Sequence, residues 1–214
     1  MATDWEERAA RAIERHEDGA ARLPEDGDER QRQLTRMGNA AWAAGLSLLM
    51  AGRTEQAAAW LVRAAERYRE SWPLAPPGSW GRPIGAMKSR LIAGDREGAN
   101  ADARSALEAG AAESESPIGI YAAALAALVL GVDAEAAALQ GRDDFPAAVA
   151  DALVALAAGD AAAYGSAIGD LVADFESRDE FLEDTPVADT VLALQVLAKE
   201  RDLAVELSSK LLPR

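Results

Sequence analysis

Alanine fills 51 of the 214 positions, and no other feature limits the fold as much. It is the strongest helix former and adds little volume, so it favours close-set helices over a sheet around a bulky core. Half of the residues are hydrophobic, enough for a core, yet only 5% are aromatic. At this length one domain is the first expectation. The chain therefore reads as a single all-α domain over residues 1–214, with a sub-boundary at the proline-rich stretch 73–79 as the one candidate division.

Helical periodicity runs through most of the sequence. Thr3 with Glu6 reads as a capping box opening a helix that carries Trp5, Ile13 and His16. A second helix is expected from about Glu29 to Ala51, apolar on two sides, and a third reaches about Trp72. Prolines 73, 76 and 77 bar helix, and Ser79 is positioned to cap the next one. Further helices are expected to about Ala109, over 118–130, as a short piece at 133–140, and from Pro146 to Ala158. Another contains Tyr164, Ile168, Leu171 and Phe175, and its Gly165 and Gly169 would let a neighbouring helix approach. Thr185-Pro186 should open the last helix, and the alternation in Leu203-Ala204-Val205-Glu206-Leu207 suggests a short strand. Short connections favour antiparallel neighbours.

Three turns look alike: Leu49-Met50-Ala51-Gly52-Arg53, Leu91-Ile92-Ala93-Gly94-Asp95 and Leu156-Ala157-Ala158-Gly159-Asp160. Each places a glycine suited to positive φ after one helix and, in the pattern expected, an Asp or Thr to cap the next. Gly45, Gly52, Ala57 and Ala64, with Trp42 just ahead, resemble the small positions of a tetratricopeptide repeat, and Gly94, Ala99 and Ala106 echo its later part. At the third turn Tyr164 and Leu171 replace the small residues, and the 42-residue spacing of the first two turns exceeds the usual repeat. The resemblance implies antiparallel helix pairs in an α-α superhelix of about nine to eleven helices, and a protein-binding role. A fainter resemblance is to an all-helical family of bacterial toxin-immunity proteins. It rests on Gly78-Ser79-Trp80, Ala86, Leu91 and Gly94-Asp95, then Leu197-Ala198, Val205-Glu206-Leu207-Ser208 and Leu211-Leu212-Pro213. It implies an alternative function, binding and neutralising a cognate toxin.

The formal charge is −14, from 36 acidic and 22 basic residues, which disfavours nucleic acid as a partner. From Asp143 to Asp189 there are 12 acids and a single base, Arg178. Only three of the basic residues are lysine, at 88, 199 and 210. Low lysine, abundant carboxylates and abundant alanine resemble the composition of proteins adapted to molar salt, where self-repulsion is screened. The absence of cysteine removes disulfides, thiolate nucleophiles and Cys-based zinc sites, and one histidine removes multi-His metal sites. No phosphate-binding glycine motif and no Gly-x-Ser-x-Gly elbow is present. The expectation is a non-enzymatic protein without cofactor or metal. No apolar run is long enough to cross a membrane, and the acidic start is unlike a secretory leader, so a cytoplasmic location is expected.

Two groups of residues are candidates for binding a protein or peptide partner. Trp72 and Trp80 flank the prolines, where they either line a groove or plug a joint between helix pairs. Glu176, Asp179, Glu180, Glu183 and Asp184 concentrate carboxylates, and as a helix Glu176, Glu180 and Glu183 would share a face able to dock a basic partner or to do no more than meet solvent. His16 has no evident partner and reads as a structural histidine. A further alternative is a small-ligand binder or enzyme with an acidic pocket near Trp80 and Tyr121.

Overall fold

The computed structural model describes residues 4–213, in which nine α-helices and three short 3-10 turns occur and no strand. The helices are α1 (Trp5–Ala21), α2 (Gly27–Met50), α3 (Thr54–Ser71), α4 (Gly81–Ala93), α5 (Arg96–Glu108), α6 (Pro117–Leu130), α7 (Ala147–Ala158), α8 (Ala161–Glu176) and α9 (Asp189–Lys199). Each of α1 to α6 packs on its chain neighbour, as α7 does on α8, and α4 also touches α6 and α9. Among the described residues no helix is long and apolar enough to cross a membrane.

Small residues set the helix spacing. At Gly45 of α2, an added Cβ would lie 2.6 Å from Leu61 Cγ and 3.1 Å from the Ala57 carbonyl oxygen of α3, so the two helices meet almost backbone to backbone. Ala57 and Ala64 are buried in the same contact. One turn of α3 onward, the Tyr68 ring is held between Gly38 of α2 and Gly85 of α4. Its hydroxyl donates to Asn39 Oδ1 at 2.9 Å.

The expected turns are present, with differences in capping. Gly94 and Gly159 end α4 and α7 in the left-handed conformation, at φ 76° and 69°. Asp95 then caps α5 through Gly98 N, and Asp160 caps α8 through the amides of residues 162 and 163. At the first turn Thr54 is already inside α3, and the cap position falls to Arg53, whose side chain makes no capping bond. Thr3 of the expected capping box lies outside the described residues; Asp4 caps α1 by accepting from Glu7 N at 3.0 Å. Ser79 does not cap α4 either, because its hydroxyl donates to the Pro76 carbonyl at 2.7 Å.

Other expectations are corrected. The piece at 133–140 reduces to a 3-10 turn, Ala136–Leu139. Gly169 has open space where a Cβ would stand, and Gly165 would make ordinary contact with Val205 at 3.7 Å, so neither mediates a close helix approach. The last helix begins at Asp189, four residues later than its expected opening. Residues 203–207 form no strand: Gln195 Nε2 donates to the Val205 carbonyl, leaving no second strand to complete a ladder. Beyond them, Leu211 and Leu212 are buried, and the Leu211 carbonyl accepts from Ala188 N at 3.0 Å.

Two clusters make up most of the core. One joins α1, α2, α3 and part of α4, and the other runs from Trp80 to the C-terminal tail. The stretch between α8 and α9 connects them, since Val187 belongs to the first cluster and Ala188 to the second.

Candidate functional site

The chain has 11 aromatic residues, and seven of them line one cleft: Trp42, Tyr68, Trp80, Tyr121, Phe145, Phe175 and Phe181. The cleft has two lobes, of about 370 and 330 Å³, which share Trp42, Lys88, Leu182 and Asp189. The first lobe opens beside Tyr68, Trp80 and Arg82, and the second beside Tyr121 and all three phenylalanines of the chain. Larger depressions of about 400, 440 and 540 Å³ lie elsewhere, but none of them has an aromatic wall.

Helix positions bring the floor together. Lys88 sits near the middle of α4, the helix that packs on both α3 and α9, and Asp189 is the first residue of α9. Their charged groups meet at 2.6 Å, with side chains only 15% and 10% exposed. Lys88 Nζ also donates to Thr190 Oγ1 at 3.1 Å. Burial works against the Lys88 ammonium, but the adjacent carboxylate more than offsets it and the pKa stands above its ordinary value. The pair is therefore held in its ionic form.

Tyr121 projects from α6 into the same region, with its ring 5.5 Å from that of Phe145. Its hydroxyl is buried beside Thr190 and in the field of Lys88 and Asp189, yet completes no well-formed hydrogen bond. Burial, ahead of the opposing influence of Lys88, raises its pKa and keeps it a neutral phenol. An unsatisfied buried hydroxyl is unfavourable unless a group arrives to pair with it.

Residues 177–188 cross the cleft as a strap rather than continuing α8. The helix stops at Glu176, and Glu183 and Asp184 both take φ of 52°, outside helix. The expected face of Glu176, Glu180 and Glu183 is thus absent, because the residues lie on different segments. Glu176 accepts from Ser209 Oγ at 2.7 Å, and Glu183 pairs with Arg15 at 3.0 Å. The Asp184 carbonyl accepts from Arg8 at 2.5 Å, so two arginines of α1 hold the strap down. Glu180 lines the second lobe, while Asp179, next to it in the strap, is exposed. Leu182, between the lobes, is 54% exposed. Among the described residues no three His, Asp or Glu side chains converge as metal ligands would.

The tryptophan pair combines the two roles weighed from sequence. Trp72 and Trp80 pack with ring centroids 5.9 Å apart, Trp80 is buried in the second core cluster, and its indole nitrogen approaches Gly119 at the start of α6. It also walls the first lobe, whereas Trp72 does not reach the cleft. His16 is buried against Trp60 in an edge-on contact, and its Nε2 has no partner.

Lys88, Asp189 and the phenylalanines are the residues that reading the sequence passed over. One signal was present: Lys88 is one of only three lysines in the chain. Comparison with protein-family models, with curated proteins and with solved structures finds no match to this chain.

Proposed function

We propose that this protein is a non-catalytic binding module for a protein or peptide, built as a tetratricopeptide-like stack of helix hairpins. The close approach of α2 and α3 at Gly45, Ala57 and Ala64 supports the tetratricopeptide likeness. The observation that carries the binding role is the aromatic cleft itself. In a chain with so few large side chains, seven aromatics line one open depression, with Leu182 and Ile118 left exposed at its rim, at 54% and 43%. Aromatic walls with an exposed apolar edge are the features that desolvate well on binding. The Lys88–Asp189 pair uses its charges on itself and has no histidine or second free base beside it, which suits a recognition floor better than acid–base chemistry.

The test is selection of binders from a phage-displayed library of random dodecapeptides. Wild-type protein should enrich peptides that a Phe181→Ala/Leu182→Ala variant no longer retains, with helical circular dichroism equal in both. Failure to enrich any peptide that depends on those side chains refutes the reading.

A further inference from the structure

We infer that the second lobe takes one bulky aromatic side chain of a partner peptide whose neighbouring residues are Lys or Arg. The inference rests on the binding role proposed above and specifies the partner. Its first support is shape and chemistry: about 330 Å³ of space is walled by Tyr121, Phe145, Phe175 and Phe181, enough for a single large ring. Ring on ring packing favours an aromatic occupant over an aliphatic one of equal size.

Its second support is the floor. The Tyr121 hydroxyl is buried, with the residue 8% exposed, and beyond a weak interaction with Thr190 it completes no well-formed hydrogen bond. The Lys88 ammonium has three donors, of which Asp189 and Thr190 engage two. A peptide group beside the anchoring ring offers an acceptor to both, without a charge that the already neutralised floor would have to match.

Its third support is the rim. Of the residues around this lobe, Arg178 is the one exposed base, and it is occupied: it pairs with Asp174 at 2.5 Å and its guanidinium lies 3.9 Å from the centre of the Phe175 ring. Asp179 and Glu180 project from the same strap and are exposed. The rim field is therefore negative, which attracts basic flanks and repels acidic ones. An acidic cluster alone would say little, but here it borders an aromatic lobe with an unsatisfied hydroxyl at its floor.

The experiment takes the peptides enriched by the wild-type protein and lost on Phe181→Ala/Leu182→Ala. They should share an aromatic residue with Lys or Arg within two positions. Replacing that aromatic residue by alanine should weaken binding by about tenfold or more, as expected of an anchor. Tyr121→Phe keeps the ring and removes the hydroxyl, and should weaken binding several-fold while leaving the thermal melt unchanged or raised. Asp179→Asn/Glu180→Gln should weaken binding and flatten its salt dependence. Cleft-dependent peptides that lack the aromatic-and-basic pattern, or that ignore Tyr121→Phe, overturn this inference and leave the binding role standing. Absence of cleft-dependent peptides overturns the binding role itself.

Discussion

Replacing Gly38 by alanine should destabilise this protein even though the site is inside a helix, where the same change ordinarily helps. In an open helix interior Gly→Ala gains about 1 kcal/mol of helix propensity. At Gly38 the new Cβ would stand 2.8 Å from Tyr68 Cε1 and 2.9 Å from Cδ1. Carbon atoms at rest lie about 3.5–4.0 Å apart, so the ring must yield by more than half an ångström. Its room to move is small. Gly85 occupies the opposite side, where a Cβ would be 2.9 Å from Cε2, and the hydroxyl is tied to Asn39. Overpacking of this kind costs about 1–3 kcal/mol, so the net effect after the propensity gain is a loss of up to about 2 kcal/mol. For a chain of this size the full ~2 kcal/mol would lower Tm by about 4–8 °C. Gly85→Ala should behave alike, and the double variant should lose more than the two singles together, because each removes the other's escape route. Gly169→Ala, with open space at its Cβ, is the control and should gain about 1 kcal/mol. Adding Tyr68→Leu to Gly38→Ala should narrow the deficit relative to Tyr68→Leu alone. Thermal melts followed by circular dichroism measure all of these. If Gly38→Ala raises Tm as much as Gly169→Ala does, the pinched-ring account is wrong.

Three further outcomes follow from the charges. Lys88→Met should cost about 3–5 kcal/mol in urea denaturation, because it strands the Asp189 carboxylate, whereas Lys88→Met/Asp189→Leu should recover most of the loss; equal losses in both would contradict a buried pair. The raised Lys88 pKa means that the pair's contribution is complete through neutral pH and is lost only as alkali passes that pKa. His16 is shifted the other way, by burial first and then by Arg67 and Arg63, against a weaker pull from Glu17. The unfolded chain therefore takes up that proton before the folded one, and stability falls as pH drops below about 6.5. Tm of His16→Phe should decline less than wild type between about pH 7 and 5, and parallel declines would refute the assignment. Finally, if the carboxylate excess is an adaptation to molar salt, as we propose, Tm should rise with KCl while the Debye length falls from about 10 to 3 Å; a flat or falling Tm would remove that explanation.

The helix hairpins were readable because their signals are local. A glycine at positive φ followed by a capping aspartate occupies two consecutive residues, and Gly94-Asp95 and Gly159-Asp160 do what that pattern requires. Gly165 and Gly169 show where local reading stops: their spacing is that of a close helix contact, but α8 turns that side away from its neighbours. The stretch 177–188 is ambiguous in the sequence for a related reason. Its acids carry a helical spacing, yet the backbone is fixed by non-local contacts: the strap is drawn across the cleft by Arg8, Arg15 and the burial of Val187. Pro186 and the lack of any alanine between Ala173 and Ala188 were the available hints.

The cleft was only partly readable, and the cause is the same alanine that made the fold readable. Where helices meet through Ala and Gly, backbones come close together and few large side chains are needed, as at Gly45 against the Ala57 carbonyl. Bulky residues are then required only where elements cannot approach so closely. That happens where the strap crosses from the second half of the chain to α1 and α2, and there the aromatics collect. Trp80 and Tyr121 were visible as candidates because aromatic residues are few in this chain. Lys88 and Asp189 stand 101 positions apart, and their pairing follows from α4 packing on α9, which no local pattern announces. The strap thus has two consequences from one cause: it joins the two core clusters, and its Phe181, Leu182 and Val187 form one wall of the aromatic cleft.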